Sequence, residues 1–328
     1  MKGDGNLADM IERPDVDALM SGPLGNWLEE QAVTREEARK ATNNRRFVVV
    51  LVLMVLAVFA LILFRLEFGM VVAGTLVLGA LGWTWADGPK RKAIKAVKIG
   101  INDAIADALG MEYSHDCEAG MPFELAKACR LVPKHDRAQF EDQWSGHFGE
   151  IPFTLHEAHL EERRGSGKNR RWVTVFRGLI MDVGYTRSFH GTTLLVRNNF
   201  FRKIWGTKQD SIKVSGLNLD YASMVHPDFE DIYDIYTSDQ TEARYLIDPL
   251  YVEQLIALES SYEGQDAATI FHEGHLVIAL KSPNLFESGS IEASNDRARM
   301  GRTIDQFENL ARLAVMVNTR HTLDEPGT

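Results

Sequence analysis

The stretch FVVVLVLMVLAVFALILF (residues 47–64), RLE (65–67) and FGMVVAGTLVLGALGWTW (68–85) decides the architecture. Each apolar run holds about eighteen residues without an ionisable group, at the lower end of the length that crosses a bilayer. A single helix through both runs would reach about twice the thickness of the hydrocarbon core. The charged interruption Arg65-Leu66-Glu67 resolves this into two spanning helices joined by a very tight turn. The competing reading is a buried hairpin of a soluble protein, which normally keeps a polar face; neither run has one.

The flanks set the orientation. Arg35, Arg39, Lys40, Arg45 and Arg46 precede the first run, and Lys90, Arg91, Lys92, Lys95 and Lys98 follow the second. The turn offers only Arg65, beside Glu67. The positive-inside bias then places both termini in the cytoplasm and the turn outside the inner (plasma) membrane. A cleaved signal peptide is not expected, because the apolar run starts far from the N-terminus without a small-residue cleavage site.

Composition agrees with an anchored cytoplasmic domain. The 328 residues suffice for a membrane hairpin and one soluble domain with a proper core. Cys117 and Cys129 are the two cysteines, and a reducing compartment predicts free thiols. The net charge of −10 argues against a general nucleic-acid binder, so no nucleic-acid partner is expected. These features divide the chain into an N-terminal segment with a lead-in helix (1–46), the hairpin (47–85), a stalk helix (86–110) and an α+β domain (111–328).

Taken in order, residues 1–31 are mixed and turn-rich, and predict partial disorder or a short surface helix. Thr34 and Glu37 fit a capping box, predicting a helix that starts there and runs into the first span. In the second run Thr75, Gly79, Gly82 and Ala86 form one stripe of small residues, suited to close helix approach. The tight turn favours packing of that stripe on the first span, with a homo-oligomer contact as the alternative. Ile94, Val97, Ile101, Ile105 and Ala108 recur at helical spacing and give a stalk ending near Gly110.

Beyond the stalk, Phe123–Leu131 and Asp136–Trp144 read as helices divided by Pro133. Ile151–Leu160, Arg171–Val183, Thr192–Arg197 and Phe229–Thr237 read as strands. The Gly- and Ser-containing insert Arg163–Arg171 reads as a mobile basic loop at a hairpin tip. Glu242–Ser260 is helical with a break at Asp248-Pro249, and Ala268–Phe271 with His275–Leu280 flank a second hairpin turn, Glu273-Gly274. A closing helix runs from about Asp296 to Val317. Strands and helices are partly segregated, so the class is α+β with a largely antiparallel sheet and packed helices.

Four motifs carry a resemblance. Val175-Phe176-Arg177-Gly178-Leu179, Phe189-His190-Gly191-Thr192, the run from Ile235 to Leu246 and Leu285-Phe286-Glu287 resemble an uncharacterised bacterial family, the domain of unknown function numbered 3137. The most specific part is Thr237-Ser238-Asp239-Gln240-Thr241-Glu242-Ala243-Arg244-Tyr245-Leu246, and the resemblance covers roughly Gly88 to Ser290. It implies paired membrane spans followed by a cytoplasmic domain. It implies no activity, cofactor or catalytic residue.

Motifs for chemistry are lacking. In His272-Glu273-Gly274-His275 the histidines are three apart on a turn, whereas the zinc-protease motif needs them four apart on a helix. His115, Cys117, Cys129 and His135 have no standard zinc spacing, so no metal is expected. Gly165-Ser166-Gly167-Lys168 lacks the rest of a phosphate-binding loop, and no dinucleotide or nucleophile-elbow signature occurs; no cofactor is expected. The acidic run of Asp228, Glu230, Asp231, Asp234, Asp239 and Glu242 reads as a solvated strand edge and helix start, with a divalent-cation site as the alternative, and Glu242 and Arg244 pair within the fold to orient the helix.

The expected function is a non-enzymatic membrane-anchored interaction, scaffold or sensing module, with a protein partner or a second copy as further partners. The alternative is a membrane-tethered enzyme whose active site is dispersed along the chain. The local positive charge adds one site expectation. Lys90, Arg91, Lys92 and Lys95, with Arg163, Arg164, Lys168, Arg170 and Arg171 of the loop, are candidates for contact with anionic lipid headgroups. A topology signal at the stalk and a solvated hairpin tip are the alternatives.

Overall fold

The computed structural model describes residues 13–62, 67–185, 189–198, 209–214, 216–223, 232–262 and 265–319. Arg65 and Leu66 of the turn, the first part of the expected Phe229–Thr237 strand, and Asp228, Glu230 and Asp231 lie outside the described residues. The chain forms two compact units, one holding residues 15–104 and 287–302, the other taking in Ile105–Phe286 and Thr303 onward.

The first unit is helical: α1 (Val16–Ser21), α2 (Pro23–Ile62), α3 (Phe68–Ala86) and most of α4 (Gly88–Leu109). The helix leading into the first span begins at Pro23, so Thr34 and Glu37 sit exposed inside α2 and cap nothing. Proline is well suited to the first helical position, and Leu28 is buried, so tertiary contacts carry the helix eleven residues further back than the local motif suggests. The small stripe of α3 meets the first span, as its favoured reading has it. A Cβ on Gly82 would come within 2.6 Å of Val49, and one on Gly79 within 3.5 Å of Leu53.

The lower half of this unit is fastened by buried charge. The Arg35 guanidinium forks onto Asp296, with Nη1 at 3.0 Å from Oδ1 and Nη2 at 2.7 Å from Oδ2, both side chains 2% exposed. Lys98 donates to Glu287 at 2.6 Å, and Ser288 donates to Asn102 at 2.7 Å. Gly100 lies under the Trp27 ring, where a side chain would collide.

In the second unit ten described strands form one antiparallel sheet: β1 (Glu112–Asp116), β2 (Arg137–Phe148), β3 (Ile151–Arg164), β4 (Arg171–Gly184), β5 (Thr193–Arg197), β6 (Ser211–Val214), β7 (Leu217–Tyr221), β8 (Tyr233–Thr237), β9 (Gln265–His272) and β10 (His275–Lys281). Their order is β1-β2-β3-β4-β10-β9-β5-β8-β7-β6. The helices are α5 (Met121–Ala128), α6 (Gln240–Leu246), α7 (Pro249–Ser261) and α8 (Asp296–Thr319), whose first residues belong to the helical unit. The expected α+β class, both hairpins, the helix break at Asp248-Pro249 and the closing helix are all present.

A second expectation fails. Arg137–Trp144 of the expected Asp136–Trp144 helix belongs to strand β2, pairing with β3 from Arg137↔Glu161 to Phe148↔Ile151. The bulge between Glu141 and Trp144 puts Phe140 on the α5 face and Trp144 on the other, with partners that only the fold supplies, and short apolar runs do not distinguish helix from strand by periodicity.

Each face of the sheet has its own cover. One carries Ala158, Leu160, Ile180, Val277 and Ala279 and takes Phe123, Ala126 and Cys129 of the α5 region into a single apolar cluster. The other buries Trp144 completely, with Phe286 and Phe307 at ring separations of 5.5 and 4.3 Å.

Candidate functional site

Between α5 and the β9–β10 hairpin lies a cleft of about 310 Å³, within the lower range of ligand pockets. Its register follows from the hairpin. Glu273 and Gly274 both take positive φ (48° and 81°), as a two-residue turn matching the strand twist requires, and this sets His272 directly opposite His275. Opposed residues share a face, and β4 adds Asp182 opposite Val277 on that same face. Apolar walls come from Met121, Pro122, Leu125 and Ala128, while Glu124 and Glu273 add negative charge.

His275 Nδ1 lies 3.1 Å from both oxygens of Asp182, so Nδ1–H donates to the carboxylate. Burial pushes the Asp182 carboxyl above its ordinary value, and the charge and hydrogen bond of His275 pull it part of the way back. His272 Nδ1 is 2.8 Å from Thr192 Oγ1. The cleft can therefore hold an apolar body and engage a basic or hydrogen-bonding group at one end.

The four sequence motifs do structural work nearby. Glu242 accepts from the backbone N–H of His190 (2.9 Å) and Gly191 (2.7 Å), while Thr192 N–H donates to Ser238 Oγ at 2.8 Å. Asp239 caps α6 by accepting from Thr241 and Glu242 N–H. A Cβ on Gly191 would sit 2.6 Å from the Glu242 carboxylate, and one on Gly178 would strike the Leu280 carbonyl. Phe286 packs on Trp144 and Phe307, with φ at 48°. Glu242 thus orients the helix by binding amides; Arg244 is exposed and is not its partner.

Residues 174–318 match the family described as "Protein of unknown function (DUF3137)". It is the family to which the motifs point, although the match starts later and ends later than the motifs alone suggest. The matched stretch takes in most of β4 and all of β9 and β10, so it holds Asp182, His272 and His275 of the cleft, while α5 lies before it. No curated protein matches the chain. Among solved structures, the mycobacterial trehalose monomycolate transport factor A is similar at 13% identity and a TM-score of 0.29, covering 65% of this chain and 93% of that one.

The apolar helices outside the matched stretch form the other notable surface. Both are long and apolar enough to cross a membrane, and only 6% of each apolar window is buried. At their lower end the Arg45 guanidinium lies 4.8 Å from the Trp85 ring centre and Arg46 4.9 Å from that of Trp83, with Arg46 also paired to Asp87 at 2.7 Å.

The candidate headgroup contacts divide between the units. Arg91, Lys92 and Lys95 are exposed at the start of α4, Lys90 is half-buried, and Arg91 donates to the Thr84 carbonyl. Arg163, Arg164, Arg170 and Arg171 are exposed at the β3–β4 tip, where Arg164 pairs with Glu162; nothing of the Lys168 side chain is described. The group His115, Cys117, Cys129 and His135 is not brought together. Cys129 joins the core, His135 bonds the Pro133 carbonyl, and His115 meets Asp142, a partner twenty-seven residues away that no spacing rule reveals.

Proposed function

We propose that the chain is an integral protein of the inner membrane, with two spans and both termini in the cytoplasm. Its sheet-containing unit acts there as a binding or sensing module rather than as a catalyst. The observation that carries this reading is the exposed apolar surface of α2 and α3, ending in a collar of Arg45, Arg46, Trp83 and Trp85. Tryptophan favours the interface and basic residues the cytoplasmic side, so the collar supports both the depth and the orientation of the hairpin. The exposed cations of α4, and those of the β3–β4 tip, are placed in this reading against anionic headgroups, each contributing about 1 kcal/mol where it comes close.

The binding site in this reading is the cleft. Its apolar walls and acidic rim suit a small amphiphile with a basic group, and Asp182 with His275 would hold the polar end. The Asp182–His275 dyad also supports the alternative of a dispersed acid–base enzyme.

Topology is tested with a cysteine at exposed Glu150 (E150C), because Cys129 is buried and Cys117 half-buried. Labelling by an impermeant thiol reagent is expected only after the cells are opened. Equal labelling of intact cells would reverse the orientation. The cleft is tested by mass spectrometry of small molecules carried by the detergent-purified chain, wild type against Leu125→Trp. Loss of a carried amphiphile on filling the cleft supports binding, whereas an identical profile removes the cleft from the proposal.

A further inference from the structure

A second cluster of ionisable groups forms where β1 pairs with β2. Metal-capable atoms of His115, Glu141 and Asp142 all lie within 4.8 Å of one another. The backbone builds the cluster. Asp116 pairs with Glu141 and Ser114 with Gln143, while the pairing of β2 with β3 slips between Glu141 and Trp144. Within the slip Asp142 takes φ of 56°, a conformation that side-chain-bearing residues rarely adopt. Bulges of this kind re-aim one side chain and recur next to functional sites.

The re-aimed carboxylate is completely buried, and it meets Tyr113 Oη at 2.6 Å and His115 Nδ1 at 2.9 Å. Glu141 is about a third exposed, its side chain 37% open, and pairs with Arg177 at a long 3.7 Å.

We propose that His115, Glu141 and Asp142 bind a divalent transition-metal ion of the zinc class. Imidazole beside carboxylates selects borderline ions of this kind, whereas magnesium and calcium favour oxygen-only shells. The ligands bind deprotonated, so occupancy releases protons and weakens in acid. This site is separate from the cleft and does not depend on the binding function proposed for it.

The test uses the full chain in detergent, stripped with a chelator and titrated with Zn²⁺ by calorimetry and with Co²⁺ by visible absorption. One equivalent is expected to bind. Glu141→Gln, at a partly exposed position that folding tolerates, is expected to weaken binding at least ~10-fold, as is His115→Ala. His275→Ala, at the other histidine cluster, is expected to leave it unchanged. A rise in unfolding temperature with Zn²⁺ should appear in the wild type and shrink in Glu141→Gln. The proposal is overturned if the wild type binds no equivalent, or if binding survives both cluster substitutions or is lost on His275→Ala.

Discussion

The hairpin and the sheet treat the same kinds of side chain in opposite ways. Leu76 and Phe47 are each 70% exposed on α3 and α2, while Leu155, Ile180 and Leu280 of the sheet are fully buried. In the sheet, α5 on one face and Trp144, Phe286 and Phe307 on the other complete the burial from the chain itself. In the hairpin Gly79 and Gly82 meet Leu53 and Val49, yet much of the apolar surface of both helices stays uncovered by the described chain. What distinguishes the regions is therefore the partner that covers each apolar side chain, not composition.

The sharpest test of that contrast is a matched pair of truncations. Trp144→Ala removes the largest fully buried ring and is expected to cost about 3–5 kcal/mol in denaturant unfolding. Leu76→Ala, in the exposed stripe, is expected to change the same transition by under ~0.5 kcal/mol. Similar losses would mean that α3 is buried by protein.

Within the helical unit the contrast turns on charge. Arg35→Ala leaves the buried Asp296 carboxylate without its fork and is expected to cost about 3 kcal/mol or more. Burial already pushes the Asp296 carboxyl up while Arg35 pulls it down, so removing Arg35 should also raise it further. A carboxyl raised above its unfolded value loses its stabilising contribution as pH rises through the folded value, so the variant should be relatively more stable in acid. A loss independent of pH would point to packing rather than charge.

A smaller effect separates the sheet by pH. Burial lowers the His156 imidazole from 6.5 to about 4, with its ring edge-on to Phe140 at 5.4 Å. Its contribution is complete above pH 6.5 and is lost as pH falls toward 4, amounting to about 3 kcal/mol at most. The unfolding midpoint of His156→Met should show a shallower decline over that window. Because raised carboxyls such as Asp182 act in the opposite direction, the difference between variant and wild type is the quantity to compare.

Much of this was legible in the sequence wherever the determinant is local. The two apolar runs, the small stripe of α3, the Glu273-Gly274 turn and the break at Asp248-Pro249 are fixed by composition, spacing or backbone freedom within a few residues. The motif residues were visible too, but their roles were not: Glu242 binds amides some fifty residues earlier in the chain. The cleft was half visible. The histidines were seen and correctly placed on a turn, yet Asp182 and the α5 wall reach them only through the sheet order.

The sequence by itself determined that apolar helices precede an α+β unit, because lengths of unbroken apolar run and 2- or 3.6-residue periodicities are properties of neighbours along the chain. Tertiary structure alone decided that α2 starts at Pro23, that Arg137–Trp144 is a strand, and that His115 meets Asp142 across a bulge. In each case the deciding partner is distant in sequence. Its contribution outweighs a local preference of about 1 kcal/mol or less per residue, and local pattern carries no record of it.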